Sequence, residues 1–124
     1  MIEVINSSVS VFFLLIVGHC LADYPLQGDF LSKAKNEHNP IPNVPWYQAM
    51  AAHCIIHGGF VGVITGSWVF GIGEATLHFH IDREKCAGRL SYDQDQFLHF
   101  LCKVGWWLFF TISLIVFPDK QHWI

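Results

Sequence analysis

The chain has 124 residues, the length of one domain, and a net charge of −3, with 52% hydrophobic and only 14% charged residues. Soluble domains average about 25% charged, so the composition argues for a membrane, and the acidic balance lacks the basic patch of a nucleic-acid binder. Three stretches free of Asp, Glu, Lys and Arg, residues 4–22, 38–73 and 104–118, decide the class, because a bilayer-crossing helix needs about 20 mostly apolar residues.

The first helix is predicted over residues 5–23. Glu3 is the only charge before Asp23, so a basic n-region is missing and the segment reads as a retained span, not a cleaved signal peptide. Tyr24-Pro25 ends it, since proline disfavours helix in the residue before it. A polar loop follows, with a short interfacial helix expected at 28–35 and a stiff end running from Asn39 to Pro45. The second helix, 46–64, opens on Trp46 and Tyr47, residues suited to a membrane interface. Its Gly58, Gly62 and Gly66 form a small-x-x-x-small ladder for close backbone approach, within one chain or between copies in a homo-oligomer. Thr65-Gly66-Ser67 is the expected turn. The third helix, 68–82, is short for a span and needs bilayer thinning, tilt or burial to compensate. A basic loop is expected at 83–92, and a fourth helix at 93–117 is stopped by Pro118.

Lys33 and Lys35 fall in the first long loop, Arg83, Lys85 and Arg89 in the second, and only Lys120 on the other side. The positive-inside rule then puts both loops in the cytoplasm and both termini outside. The expectation is an all-α polytopic protein of the inner (cytoplasmic) membrane. A single integral membrane domain over 1–124 would form a bundle of four transmembrane helices in the lipid bilayer.

Four pairs of metal-ligand residue types recur at i, i+4: His19/Asp23, His53/His57, His78/Asp82 and Asp95/His99. Residues four apart share a helix face, and in this topology all four pairs fall near the cytoplasmic face. A lone buried histidine is more often a hydrogen-bonded core residue than a ligand. Four pairs at one depth point instead to a buried polar metal site, since intramembrane ionisable groups are costly and default to function. Imidazole and carboxylate suit zinc first, with manganese or iron as alternatives. Eight ligands are enough for two divalent ions.

Glu74 continues the His78/Asp82 stripe as a ligand, a catalytic base or a plain salt-bridge partner. Lys103, one turn after His99, is read as offsetting ligand carboxylates, holding an anionic substrate, or snorkelling. Gln27, Lys33, Lys85 and Gln96 are expected near the mouth, where they orient a phosphate or the ligands. His38, His80 and His122 are not expected to bind metal. Cys20, Cys54, Cys86 and Cys102 contain no C-x-x-C and read as small packing residues, not as a zinc ribbon or a disulfide framework.

The ordered set His19-Cys-Leu-Ala-Asp23-Tyr-Pro-Leu-Gln27, His53-x-x-x-His57-Gly58, Glu74-x-x-x-His78-x-x-Ile81-Asp82-x-x-Lys85 and Asp95-Gln96-x-x-His99 resembles a family of small bacterial and phage membrane proteins, the domain of unknown function 3307. The resemblance covers nearly the whole chain. It implies that the eight paired residues matter, and it carries no established reaction. A looser similarity is to small multi-span proteins labelled membrane-bound metal-dependent hydrolases, a label resting on their His/Asp motifs.

Three functions follow as expectations. The first is a metal-dependent hydrolase acting on a lipid or phosphoester at the cytoplasmic face, with an anionic head group held by the basic loops. The second is a metal or proton carrier, disfavoured by the apolar run after Lys103. The third is a non-catalytic phage or bacterial membrane effector with a structural metal.

Overall fold

The computed structural model describes residues 1–118, so Lys120 and His122 lie outside the described residues. The chain is all-helical: α1 (Ile2–Asp23), α2 (Gly28–Ala34), α3 (Trp46–Thr65), α4 (Trp68–Cys86) and α5 (Tyr92–Val116). The starts of the second and third predicted long helices agree with α3 and α4 to the residue. Local chemistry explains the sharpest boundaries. Gly66 takes the left-handed conformation (φ 68°) that closes α3. One residue later, the Ser67 hydroxyl accepts from the Phe70 amide and opens α4. Ser91 and Gln94 form a reciprocal capping box at the start of α5.

Two expectations are corrected. Helix α4 runs on to Cys86, so Arg83 and Lys85 are helical rather than part of the loop. They are basic residues in a last turn, where they complement the helix dipole. Gly66 is not a rung of the glycine ladder but the turn residue itself. Gly58 and Gly62 do serve close approach, and they do so within the chain. A Cβ on Gly58 would lie 2.5 Å from the Gly71 carbonyl oxygen of α4, and one on Gly62 would lie 2.7 Å from the Trp68 ring.

Helices α1, α3, α4 and α5 form a ring in which α1 packs on α3 and α5, and α4 on α3 and α5; α2 lies against α3. Three of the helices, α1, α3 and α5, are long and apolar enough to cross a membrane. Helix α4 carries Glu74, Asp82, Arg83, Glu84 and Lys85 and is not among them.

The burial pattern is inverted relative to a water-soluble bundle. Phe13, Ile55, Val63 and Ile72 face outward at 63%, 67%, 71% and 70% exposure, whereas Lys103, His53, His57, His78, His99, Glu74 and Asp95 are buried. In water such an arrangement would forgo hydrophobic burial and still bear the desolvation of charge. In hydrocarbon it is the arrangement that keeps polar groups satisfied against one another. The interior has two layers. Toward the chain termini, Val11, Leu15 and Val61 pack with Ile64, Phe70, Trp106, Trp107 and Phe110. Ser8 ties α1 to α5 there, 2.6 Å from the Thr111 hydroxyl and accepting from Trp107 Nε1 at 2.8 Å. The other layer, toward α2 and the 87–91 turn, is polar.

Candidate metal centre

The i, i+4 spacing does what helix geometry requires. His53 and His57 on α3, His78 and Asp82 on α4, Asp95 and His99 on α5, and His19 and Asp23 on α1 all point into the ring. The Nε2 atoms of His53 and His78 face each other at 3.0 Å. Asp23 Oδ1 lies 3.0 Å from His57 Nε2, 3.4 Å from His53 Nε2 and 3.9 Å from His78 Nε2. Tetrahedral ligands at 2.0–2.1 Å from an ion are separated by roughly 3.3 Å, so these four atoms are spaced as ligands around one centre. Asp82 Oδ1 is 3.2 Å from His99 Nε2, which is 3.4 Å from Asp95 Oδ1. The rings stack in a column, with His57 on His78 at 3.6 Å and His78 on His99 at 4.0 Å between centroids.

Three sets of side chains bring ligand atoms within 4.8 Å of one another: Asp23, His53, His57 and His78; Glu74, His78 and His99; and Asp82, Asp95 and His99. Seven of the eight predicted ligands are in these sets. The eighth, His19, supports Asp23 instead: its Nε2 is 3.4 Å from Asp23 Oδ2 and 3.1 Å from Gln96 Oε1.

The three aspartates share one design. Each turns Oδ1 toward the histidines and gives Oδ2 to a pocket-side donor. Gln96 Nε2 donates to Asp23 Oδ2 at 2.8 Å, Lys35 Nζ to Asp82 Oδ2, and Lys85 Nζ to Asp95 Oδ2 at 3.3 Å. Such outer contacts orient ligands and tune a metal site. On the histidines, the Nδ1 atoms are buried without a hydrogen bond among the described residues; His78 Nδ1 comes nearest to a partner, 3.4 Å from Glu74 Oε1. The Nε2 atoms are therefore the ones aimed into the centre.

Glu74 and Lys103 lie beneath the cluster. Lys103 Nζ is 2.5 Å from Glu74 Oε1, and Trp106 Nε1 donates to Glu74 Oε2 at 2.6 Å. A polar pocket of about 260 Å³ opens above, with Asp23, Asp82 and Asp95 at its base and Lys35, Lys85, Gln27, Gln96, Ser32, Tyr24 and Tyr92 around it. The Tyr24 and Tyr92 hydroxyls meet at 2.5 Å, and that hydrogen bond pushes the Tyr24 phenol up to about 12.

Sequence reasoning placed Lys33 at the mouth and read Lys35 only as a loop charge. The structure reverses this. Lys33 pairs with Asp29 in solvent, while Lys35 is buried and reaches both Asp82 and Gln27, the latter at 2.5 Å. The reason is that α2 ends at Ala34, itself fully buried, which brings the next side chain under the helix. Gln27, Lys85 and Gln96 stand where expected. His38 and His80 are exposed. Cys54 is buried and Cys86 and Cys102 are partly so, but Cys20 is exposed.

A small all-helical protein with three membrane-length apolar helices and a buried His–Asp cluster under a polar pocket is the class that fold and site define. The chain belongs to the family described as "Protein of unknown function (DUF3307)", whose model matches residues 11–122. No curated protein and no solved structure matches it.

Proposed function

We propose that this chain is a membrane-embedded metal-binding protein that hydrolyses a lipid or another phosphoester at the cytoplasmic face of the inner membrane. The observation that carries the reading is the convergence of Asp23 Oδ1 and the Nε2 atoms of His53, His57 and His78, from three helices, on one buried point beneath a pocket lined by two lysines. Helix α4 serves as a fourth span, its charges turned inward or placed in its last turns. With α1, α3 and α5 it forms one integral membrane domain, both termini outside, the pocket and basic turns inside.

Zinc, manganese and iron all suit the donor set. A bound divalent ion would supply an acidified water and stabilise the charge that develops on the phosphoryl oxygens. The chain's own residues do the rest. Lys35 and Lys85 flank the place an anionic head group enters, Gln96 fixes Asp23, and Glu74 steers His78 through Nδ1 while Lys103 and Trp106 hold Glu74. Of the roles read for Glu74 (ligand, base or salt-bridge partner) and Lys103 (offsetting carboxylates, holding an anion or snorkelling), the salt bridge between them favours positioning, since neither lines the pocket.

The deciding experiment is turnover of p-nitrophenyl phosphate and of anionic phospholipid in nanodiscs, with and without zinc or manganese, for the wild type and His57→Ala. Metal-dependent turnover lost in a folded His57→Ala protein supports the reading. Retained stoichiometric metal without turnover of any phosphoester supports the structural-metal alternative. In that case the ion's ligands should all be protein side chains, because structural sites are closed and catalytic ones keep a position open.

A further inference from the structure

Eight ligands suggested two ions; we propose instead that the centre takes one divalent ion per chain, at Asp23, His53, His57 and His78, and that Lys35 and Lys85 occupy the electrostatic place of a second. This rests on the metal-binding reading above and deepens it.

The argument is one of charge and donors. Four carboxylates are gathered in the ring: Asp23, Glu74, Asp82 and Asp95. Three ammonium groups accompany them, each on its own partner: Lys103 on Glu74, Lys35 on Asp82 and Lys85 on Asp95. Asp23 alone has no lysine on it; its outer oxygen is held by the neutral amide of Gln96. Of the four carboxylates, Asp23 is therefore the one without a lysine, and the Nε2 atoms of His53, His57 and His78 all meet a single one of its oxygens, Oδ1, whereas the Nε2 neighbours of Asp82 are divided between Oδ1 and the lysine-bearing Oδ2. Burying ions is tolerable only when charge is paired, and a divalent cation with a bound hydroxide would balance Asp23 to neutrality.

The set of Asp82, Asp95 and His99 is different. One N–H at His99 Nε2 hydrogen-bonds Asp82 Oδ1 at 3.2 Å and sits 3.4 Å from Asp95 Oδ1. Both outer oxygens already bear lysines. Asp95 Oδ1 is the one carboxylate oxygen in this set without a hydrogen bond among the described residues, and both carboxylates of the set are already charge-paired, unlike Asp23. A second ion there would have to enter against two ammonium groups already in place.

The test is metal stoichiometry. The purified full chain in nanodiscs is loaded with zinc(II) or, separately, manganese(II), dialysed, and measured by elemental analysis against protein concentration. One equivalent is expected for the wild type and for Asp95→Asn, with at least a tenfold loss in Asp23→Asn. Two retained equivalents in the wild type, or loss of the ion in Asp95→Asn, overturn the single-ion proposal while leaving a metal protein. No retained metal in the wild type overturns the metal-binding reading itself. Helical content and elution volume check each variant, and the wild-type and Asp95→Asn values decide the matter if Asp23→Asn does not fold.

Discussion

His53 Nε2 and His78 Nε2 lie 3.0 Å apart across the α3–α4 interface, each also within 4 Å of an aspartate oxygen. Two ring nitrogens at that distance share at most one proton, so a cation placed between them gains two lone pairs at once. Replacing either histidine by alanine should abolish retained metal. Replacing the outer-sphere Gln96 by alanine should weaken metal affinity by about 10–100-fold, the usual effect of removing a ligand's orienting partner. Competition titration with a chromophoric chelator measures both.

The glycine contact between α3 and α4 predicts an asymmetric pair of variants. In Gly58→Ala the new methyl would meet the Gly71 carbonyl at 2.5 Å, whereas Gly59→Ala has nothing within 4 Å. Overpacking of this kind costs about 1–3 kcal/mol. Gly58→Ala should therefore unfold at lower denaturant in mixed micelles, and Gly59→Ala should match the wild type.

Glu74 and Lys103 are each about 1% exposed in their side chains. Breaking such a pair from one side leaves a buried charge alone and typically costs about 3–5 kcal/mol. Lys103→Met and Glu74→Leu should each destabilise strongly. The double variant should recover much of the loss, with the Trp106 indole then lacking its acceptor. A double-mutant cycle on denaturation midpoints gives the coupling.

The hydroxyl pair at the pocket rim predicts an alkaline titration. Hydrogen bonding to Tyr92 holds Tyr24 protonated up to about 12, above the ordinary phenol value of 10.0. The native state thus keeps a proton that the unfolded chain loses first. The stabilising contact is intact below pH 10 and disappears as pH rises through 12. Phenolate absorbance should show Tyr24 titrating late in the wild type and near 10 in Tyr92→Phe.

Much of this was legible in the chain itself, for identifiable reasons. Charge-free runs and turn residues at Pro25 and Gly66 mark helix ends by local chemistry, so those boundaries followed, whereas the Ser91 cap and the extension of α4 to Cys86 did not. The four i, i+4 pairs were legible because helical spacing alone fixes which side chains share a face. The partner of each aspartate's outer oxygen was not, since it depends on how α2 folds back, and no periodicity in a seven-residue helix reveals that. Lys35 and Lys33 are two residues apart and chemically identical; only the packing of Ala34 separates the buried one from the solvated one. The pairing of Glu74 with Lys103 was hidden likewise, because it joins two helices whose rotation about their axes is set by the Gly73–Trp106 and Gly71–Gly58 contacts.

The apolar layer of Val11, Leu15, Val61, Phe70, Trp106 and Phe110 closes the ring on the side away from the pocket. In an energised bilayer, a column of stacked imidazoles and carboxylates open to water at both ends would short-circuit the proton gradient. Sealed at one end, such a column would exchange protons with a single compartment. In the membrane setting proposed above, that seal would keep the cluster from draining the potential across the bilayer.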